Sequence, residues 1–107
     1  MKSYRCVAYL ATLLLCPPVF AAPDAQRQAQ LEHLLTQDCG ACHGLHLTGG
    51  LGPQLTPAAL AGKPRDGLIA TVRLGRPGTA MPAWEALLSA DDIDWLVDHL
   101  LQGAPAP

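Results

Sequence analysis

The 107-residue sequence predicts a single all-α domain, and three observations carry that reading. Apolar residues recur at helical spacing in three separate segments. Clusters of Gly and Pro (GGLGP, AGKP, GRPG, MP) punctuate the stretches between them. No stretch sustains the apolar–polar alternation of a half-buried strand. The expectation is three to five short helices with stiff connections, packed helix on helix.

The first helix is expected from about Ala25 to Asp38, with Leu31, Leu34 and Leu35 on one face. A second, shorter helix is expected from Asp66 to Leu74. Asp66 is placed to cap it, Leu68, Ile69 and Val72 line one side, and Gly75 ends it. The third is the most clearly marked. Ser89 and Asp92 form a capping box, with Asp for the usual Glu. Ile93, Leu96, Val97 and Leu100 follow at i, i+3, i+4 and i+7, and Gly103 stops the helix. Aspartates in its first turn favour the helix dipole, a reason for their presence that is independent of function. Short turns are expected at Ala58–Ala61 and Trp84–Leu88, and the final GAPAP, residues 103–107, reads as a flexible tail.

Residues 1–21 read as a secretory signal. Lys2 and Arg5 supply a positive start, the apolar run from Cys6 to Cys16 is too short to span a bilayer comfortably, and Val19-Phe20-Ala21 offers a cleavage site. Cutting after Ala21 avoids leaving Pro23 at the cleaved bond. An uncut tether is disfavoured by the run's length, and bulky Leu15 disfavours lipidation at Cys16. The mature domain then spans residues 22–102 and keeps only Cys39 and Cys42, too few to staple a loop-rich secreted fold. Only Trp84 and Trp95 remain as aromatics, so a bound apolar cofactor would supply the missing core. Five Lys and Arg against nine Asp and Glu leave a formal charge of −4, which is not the balance of a nucleic-acid-binding protein.

The chemistry is concentrated in DCGACHGLHL, Asp38 to Leu47. A zinc site needs ligand pairs from separate turns, whereas Cys39, Cys42, His43 and His46 come from one contiguous stretch. A dithiol switch of thioredoxin type needs a βαβ pattern nearby, and there is none. Cys-x-x-Cys-His is the attachment signature for c-type haem. Cysteines three apart reach two vinyl groups on neighbouring edges of the macrocycle, and the adjacent histidine reaches iron. His43 is therefore the expected ligand. His46 lies on the same side of the iron and is expected at the surface, while His33 and His99 are expected exposed or capping.

An independent sixth ligand is available. Met81 is the only methionine left after the signal, in the Pro/Gly-stiffened loop GRPGTAMPAW, 42 residues beyond Cys39. A lone methionine is ordinarily core filler. Its place between Pro77 and Pro82, on a loop, favours the ligand reading, since Met/His ligation recurs in cytochromes c.

With CGACH, GLGPQL and TAMPAW together, the chain resembles the class I cytochromes c, over nearly the whole mature length. More narrowly, CGACHGLHLTGGLGP with GRPGTAMPAW resembles the small monohaem cytochromes that accompany the haem-d-type (cytochrome cd) nitrite reductase of denitrifying bacteria. The resemblance implies the cytochrome c fold wrapped around one covalent haem c. It also implies a hydrogen bond from His43 Nδ1–H to the Pro53 carbonyl, which would fix the ring and raise its basicity. One departure stands out: Leu31 and Leu35 occupy places opposite Trp95 where the family often has Gly and an aromatic, so the crossing of the terminal helices is expected to pack differently.

Two axial ligands leave the iron no vacant position, and methionine raises its potential. The expected role is a periplasmic, monomeric electron carrier rather than an enzyme, with redox proteins, nitrite reductase among them, as partners. The alternative is an accessory role in haem d1 biogenesis. Arg73 and Arg76, close to Met81, are expected to form a basic rim for an acidic partner.

Overall fold

The structure is a computed structural model that describes residues 22–104, all helix and loop with no strand among them. The proposed signal segment lies outside the described residues, as does the end of the expected tail. Five α-helices follow in order: α1 (Ala25–Leu34), α2 (Gly40–His43), α3 (Pro57–Leu60), α4 (Arg65–Leu74) and α5 (Ala90–Gln102). Between α1 and α2 the helix continues without interruption through a π-helical turn, Leu35–Cys39. The first helical segment therefore runs on past Asp38 to His43.

That wide turn has a structural consequence. Leu34, Asp38 and Cys42, and beside them Leu35, Cys39 and His43, recur every four residues and all line one cavity. A regular helix has about 3.6 residues per turn, so a four-residue repeat drifts off one face. The π turn, in which the Gly40 amide donates to the Leu35 carbonyl, absorbs the drift and keeps both rows aimed the same way.

Each remaining helix starts and stops for a local reason. Asp24 caps α1 by accepting from the Arg27 amide at 2.8 Å. Thr56 caps α3, with Pro57 in its first turn. Asp66 does not cap α4. Pro64 holds the extended N-cap conformation and starts the helix at Arg65, leaving Asp66 in the first turn beside the positive end of the dipole. The capping box of α5 is complete: Asp92 N donates to Ser89 Oγ and Ser89 N to Asp92 Oδ2, both at 3.1 Å, and Gly103 ends the helix in the left-handed region.

The core is aliphatic. Leu31 of α1 and Ile93 and Val97 of α5 are almost wholly enclosed, with Leu35, Leu47, Leu60, Leu88, Leu96 and Leu100 around them. Arg27 ties α1 to α5 by donating from Nε and Nη2 to the two carboxylate oxygens of Asp92, at 3.1 and 2.8 Å. Trp95 packs on the flank of this core, its ring stacked on His99 with centroids 4.5 Å apart. His99 is thus neither exposed nor a cap: it is half-buried, with Nε2 3.7 Å from Glu32 Oε1 on α1. Helix α4 differs from the others in burying none of its residues fully. Its apolar face, Leu68 and Val72 with Thr71, turns toward the cavity instead. No helix of the described residues is long and apolar enough to cross a membrane.

Candidate functional site

The cavity measures about 690 Å³ and is lined mainly by aliphatic side chains from the first helical segment, α4, α5 and two loops. That volume lies within the usual range for small-molecule and cofactor sites, roughly 300–1,000 Å³. Cys39, Cys42, His43, Pro53 and Met81, the residues singled out from the sequence, all line it. They arrive from three separate parts of the chain.

The His43 wall is made by the loop after α2 folding back on the helix end. The Gly49 and Gly52 amides donate to the carbonyls of His43 and Cys42, each at 2.8 Å, so the open end of the helix is satisfied by the loop that follows it. The loop is closed again where the Leu55 amide meets the Leu47 carbonyl at 2.9 Å. This fold-back delivers the Pro53 carbonyl to 2.7 Å from His43 Nδ1. A carbonyl only accepts, so Nδ1 carries the hydrogen, which in the neutral ring leaves the lone pair on Nε2. The ring, 9% exposed, also rests against Gly52: a Cβ there would stand 2.7 Å from both Cε1 and Nδ1. The GLGP motif was visible in the sequence, but only the structure shows Gly52 as the surface on which the imidazole sits.

The Met81 wall is built from the end of α4. Gly75, at φ 68°, turns the chain where an added Cβ would strike Pro82 and the Met81 carbonyl at 2.6–2.7 Å. The Arg76 amide donates to the Met81 carbonyl at 3.1 Å, and the Thr79 amide and hydroxyl both donate to the Arg76 carbonyl, at 3.1 and 2.7 Å. Further on, the Trp84 and Glu85 amides bond to the last carbonyls of α4, at Val72 and Arg73. Met81 itself is half-buried, between loop residues that are exposed.

His46 is exposed and does not line the cavity. Among the described residues no three or more His, Cys, Asp or Glu side chains gather as a metal-binding group, which removes the four-ligand zinc reading. Cys39 and Cys42 are free thiols. Burial, reinforced by the neighbouring Asp38 carboxylate, pushes the Cys39 thiol up to about 11. Dithiol redox sites lower that value to generate thiolate, so the environment is the opposite of what a thioredoxin-type site needs. Arg73, expected on a basic rim, pairs instead with Glu85 at 3.6 Å, and Arg76 lies on the cavity wall. A deep apolar chamber, two thiols on one wall, an imidazole with a free Nε2 and a thioether on another loop form a donor set suited to haem.

The family model described as cytochrome c oxidase, cbb3-type, subunit III matches residues 26–100. The chain belongs to the c-type cytochromes. It is 68% identical to cytochrome c55X of Stutzerimonas stutzeri over 99 residues, covering 92% of this chain and 88% of that one. It superposes on the solved structure of a c-type cytochrome NirC with a TM-score of 0.77 at 70% identity, covering 79% of this chain and all of the other. A more distant likeness, 36% over 78 residues, is to the dihydro-heme d1 dehydrogenase of Pseudomonas aeruginosa. It covers 73% of this chain but only 16% of that much longer protein. The cofactor of this cytochrome is a covalently bound haem c, and the all-α cytochrome c fold is the one described above.

Proposed function

We propose that the protein carries single electrons on a haem held by Cys39 and Cys42 through thioethers and ligated by His43 and Met81. The observation that carries this reading is the convergence of those four side chains, from two distant parts of the sequence, on one apolar cavity. When bound, the haem supplies one-electron chemistry by cycling its iron between ferrous and ferric states. The chain's residues do the rest. The Pro53 carbonyl fixes the His43 tautomer and orientation, so that Nε2 is presented with little freedom to swing. The thioether of Met81 is a soft, weakly basic donor that favours the reduced metal. Aliphatic walls from Leu35, Leu68, Val72 and Leu96 exclude water. With His43 and Met81 both committed to the iron, a bound haem would supply electron transfer and would offer substrate no place on the metal.

The likeness to cytochrome c55X and NirC supports a place in denitrification, with the haem-d-type nitrite reductase as electron acceptor. The residue 1–21 signal would place a monomeric mature protein in the periplasm. Rapid reduction of purified nitrite reductase by the ferrous protein tests this role, and failure at concentrations where other cytochromes react would reject it. A second reading draws on the likeness to the dihydro-heme d1 dehydrogenase: the cytochrome would serve haem d1 biogenesis, supplying or accepting electrons while that cofactor is made. A deletion strain separates the two. Reductase that forms with its full complement of haem d1 supports the carrier, and reductase lacking it supports the assembly role.

A further inference from the structure

The described residues contain five Lys and Arg side chains: Arg27, Lys63, Arg65, Arg73 and Arg76. Three of them are in ion pairs: Arg27 with Asp92, Arg65 with Asp94 and Asp98, and Arg73 with Glu85. Among the described residues the other two, Lys63 and Arg76, have no carboxylate within salt-bridge distance, and these are the only two cations on the cavity wall. Against them the cavity offers one acid, Asp38, at the cysteine side. The walls thus carry one more positive charge than negative, and neither of the two cations is paired with a carboxylate among the described residues.

A haem brings two propionate carboxylates. An apolar chamber cannot take an unpaired carboxylate, because desolvation of the ion costs several kcal/mol, so the propionate edge must lie at the mouth. Lys63 and Arg76 line the cavity while themselves exposed, just beyond the two ends of α4, as residues at an opening would be. We propose that Lys63 and Arg76 hold the two haem propionates, and that Arg76 thereby ties the Met81 loop to the edge of the cofactor. The second half follows from the backbone. Arg76 donates its amide to the Met81 carbonyl, and Thr79 bonds twice to the Arg76 carbonyl. A guanidinium fixed on a propionate therefore fixes the base of the loop that carries Met81. Arg76 is a positioning residue in this scheme. Its planar fork suits a carboxylate better than an ammonium does. The inference rests on the covalent haem proposed above.

The test uses the exported holoprotein and the variants Arg76→Gln, Lys63→Gln, the double variant and Arg76→Lys. A pyridine haemochrome spectrum first establishes covalent haem in each. Loss of it in the unaltered protein would defeat the haem reading itself, separately from this one. With haem attached, the propionate-bending bands of the resonance Raman spectrum are expected to shift in both single Gln variants and further in the double. Displacement of Met81 by added imidazole in the ferric protein is expected to quicken about tenfold or more in Arg76→Gln, as for loss of a charge-assisted hydrogen bond. Arg76→Lys should recover part of that change. Unmoved Raman bands with an unmoved displacement rate would overturn the proposal. If a variant fails to mature, a crystal structure of the unaltered holoprotein decides: propionate oxygens within about 3.2 Å of Lys63 Nζ and the Arg76 guanidinium support the clamp, and propionates facing elsewhere refute it.

Discussion

The two walls of the cavity are made in different ways. His43 is buried, hydrogen-bonded at Nδ1, backed by Gly52 and fixed on a helix whose open end is bonded by its own following loop. Met81 is half-buried on a loop whose residues 76–80 are all exposed and whose own closing bonds run through Arg76 and Thr79. One proposed ligand is preorganised by packing, whereas the other is held by a short hydrogen-bonded strap. Side-chain removal should therefore have different consequences on the two sides. Damage to the His43 wall should disturb attachment and folding, and damage to the Met81 wall should change ligation while leaving the rest in place.

The largest effect is expected at the cysteines. With Cys39→Ser and Cys42→Ser together, no haem should remain with the polypeptide after extraction into acidified organic solvent, whereas the unaltered protein should retain all of it. Next is Met81→Ala. The haem should stay attached and the near-infrared charge-transfer band of methionine-ligated ferric haem should vanish. Loss of attached haem in this variant would erase the contrast between the walls. Gly52→Ala tests the His43 wall directly. Its Cβ would need space 2.7 Å from two ring atoms, so the ring or the loop must move. Overpacking of this kind costs about 1–3 kcal/mol, measurable as a lowered denaturant midpoint with the Met81 band retained.

The smallest expected effect concerns the helix crossing behind the His43 wall. The hydrogen bonds from Arg27, joined by those of the Ser89 cap, hold the Asp92 carboxyl at about 2, below its ordinary 3.8. Because the folded value is the lower one, the stabilisation is complete above 3.8 and is lost as the pH falls through about 2. Asp92→Asn should flatten the acid side of the stability profile across that window. An unchanged acid slope would show that other carboxylates govern acid unfolding.

Much of this arrangement is legible in the sequence because it is local. The Ser89–Asp92 box and the Gly103 stop depend on residues a few positions apart, and CxxCH on a single turn. Met81, which is unique after residue 21 and sits among prolines, could be singled out from the sequence, and the structure puts it on the cavity wall. What escaped the sequence depends on distant contacts or on backbone detail. The π turn at Leu35–Cys39 carries no residue signature, so periodicity alone ends the first helix at Asp38, whereas the structure continues it to His43. Pro64 displaced Asp66 as the start of α4, by fixing the backbone two residues earlier. The stacking of His99 on Trp95 and the pairing of Arg73 with Glu85 are tertiary facts. The cavity-facing row of α4 is apolar in the same way as a core-facing row, and only the fold distinguishes a face buried by protein from one reserved for a cofactor.

The proposed His43/Met81 ligation of a covalent haem is tested most directly by the visible and near-infrared spectrum of the exported protein, reduced and oxidised. Covalent attachment and both ligands together should give the sharp α and β bands of low-spin ferrous haem c and the methionine charge-transfer band in the ferric form. A high-spin spectrum, or a ferric form without that band, would contradict Met81 ligation.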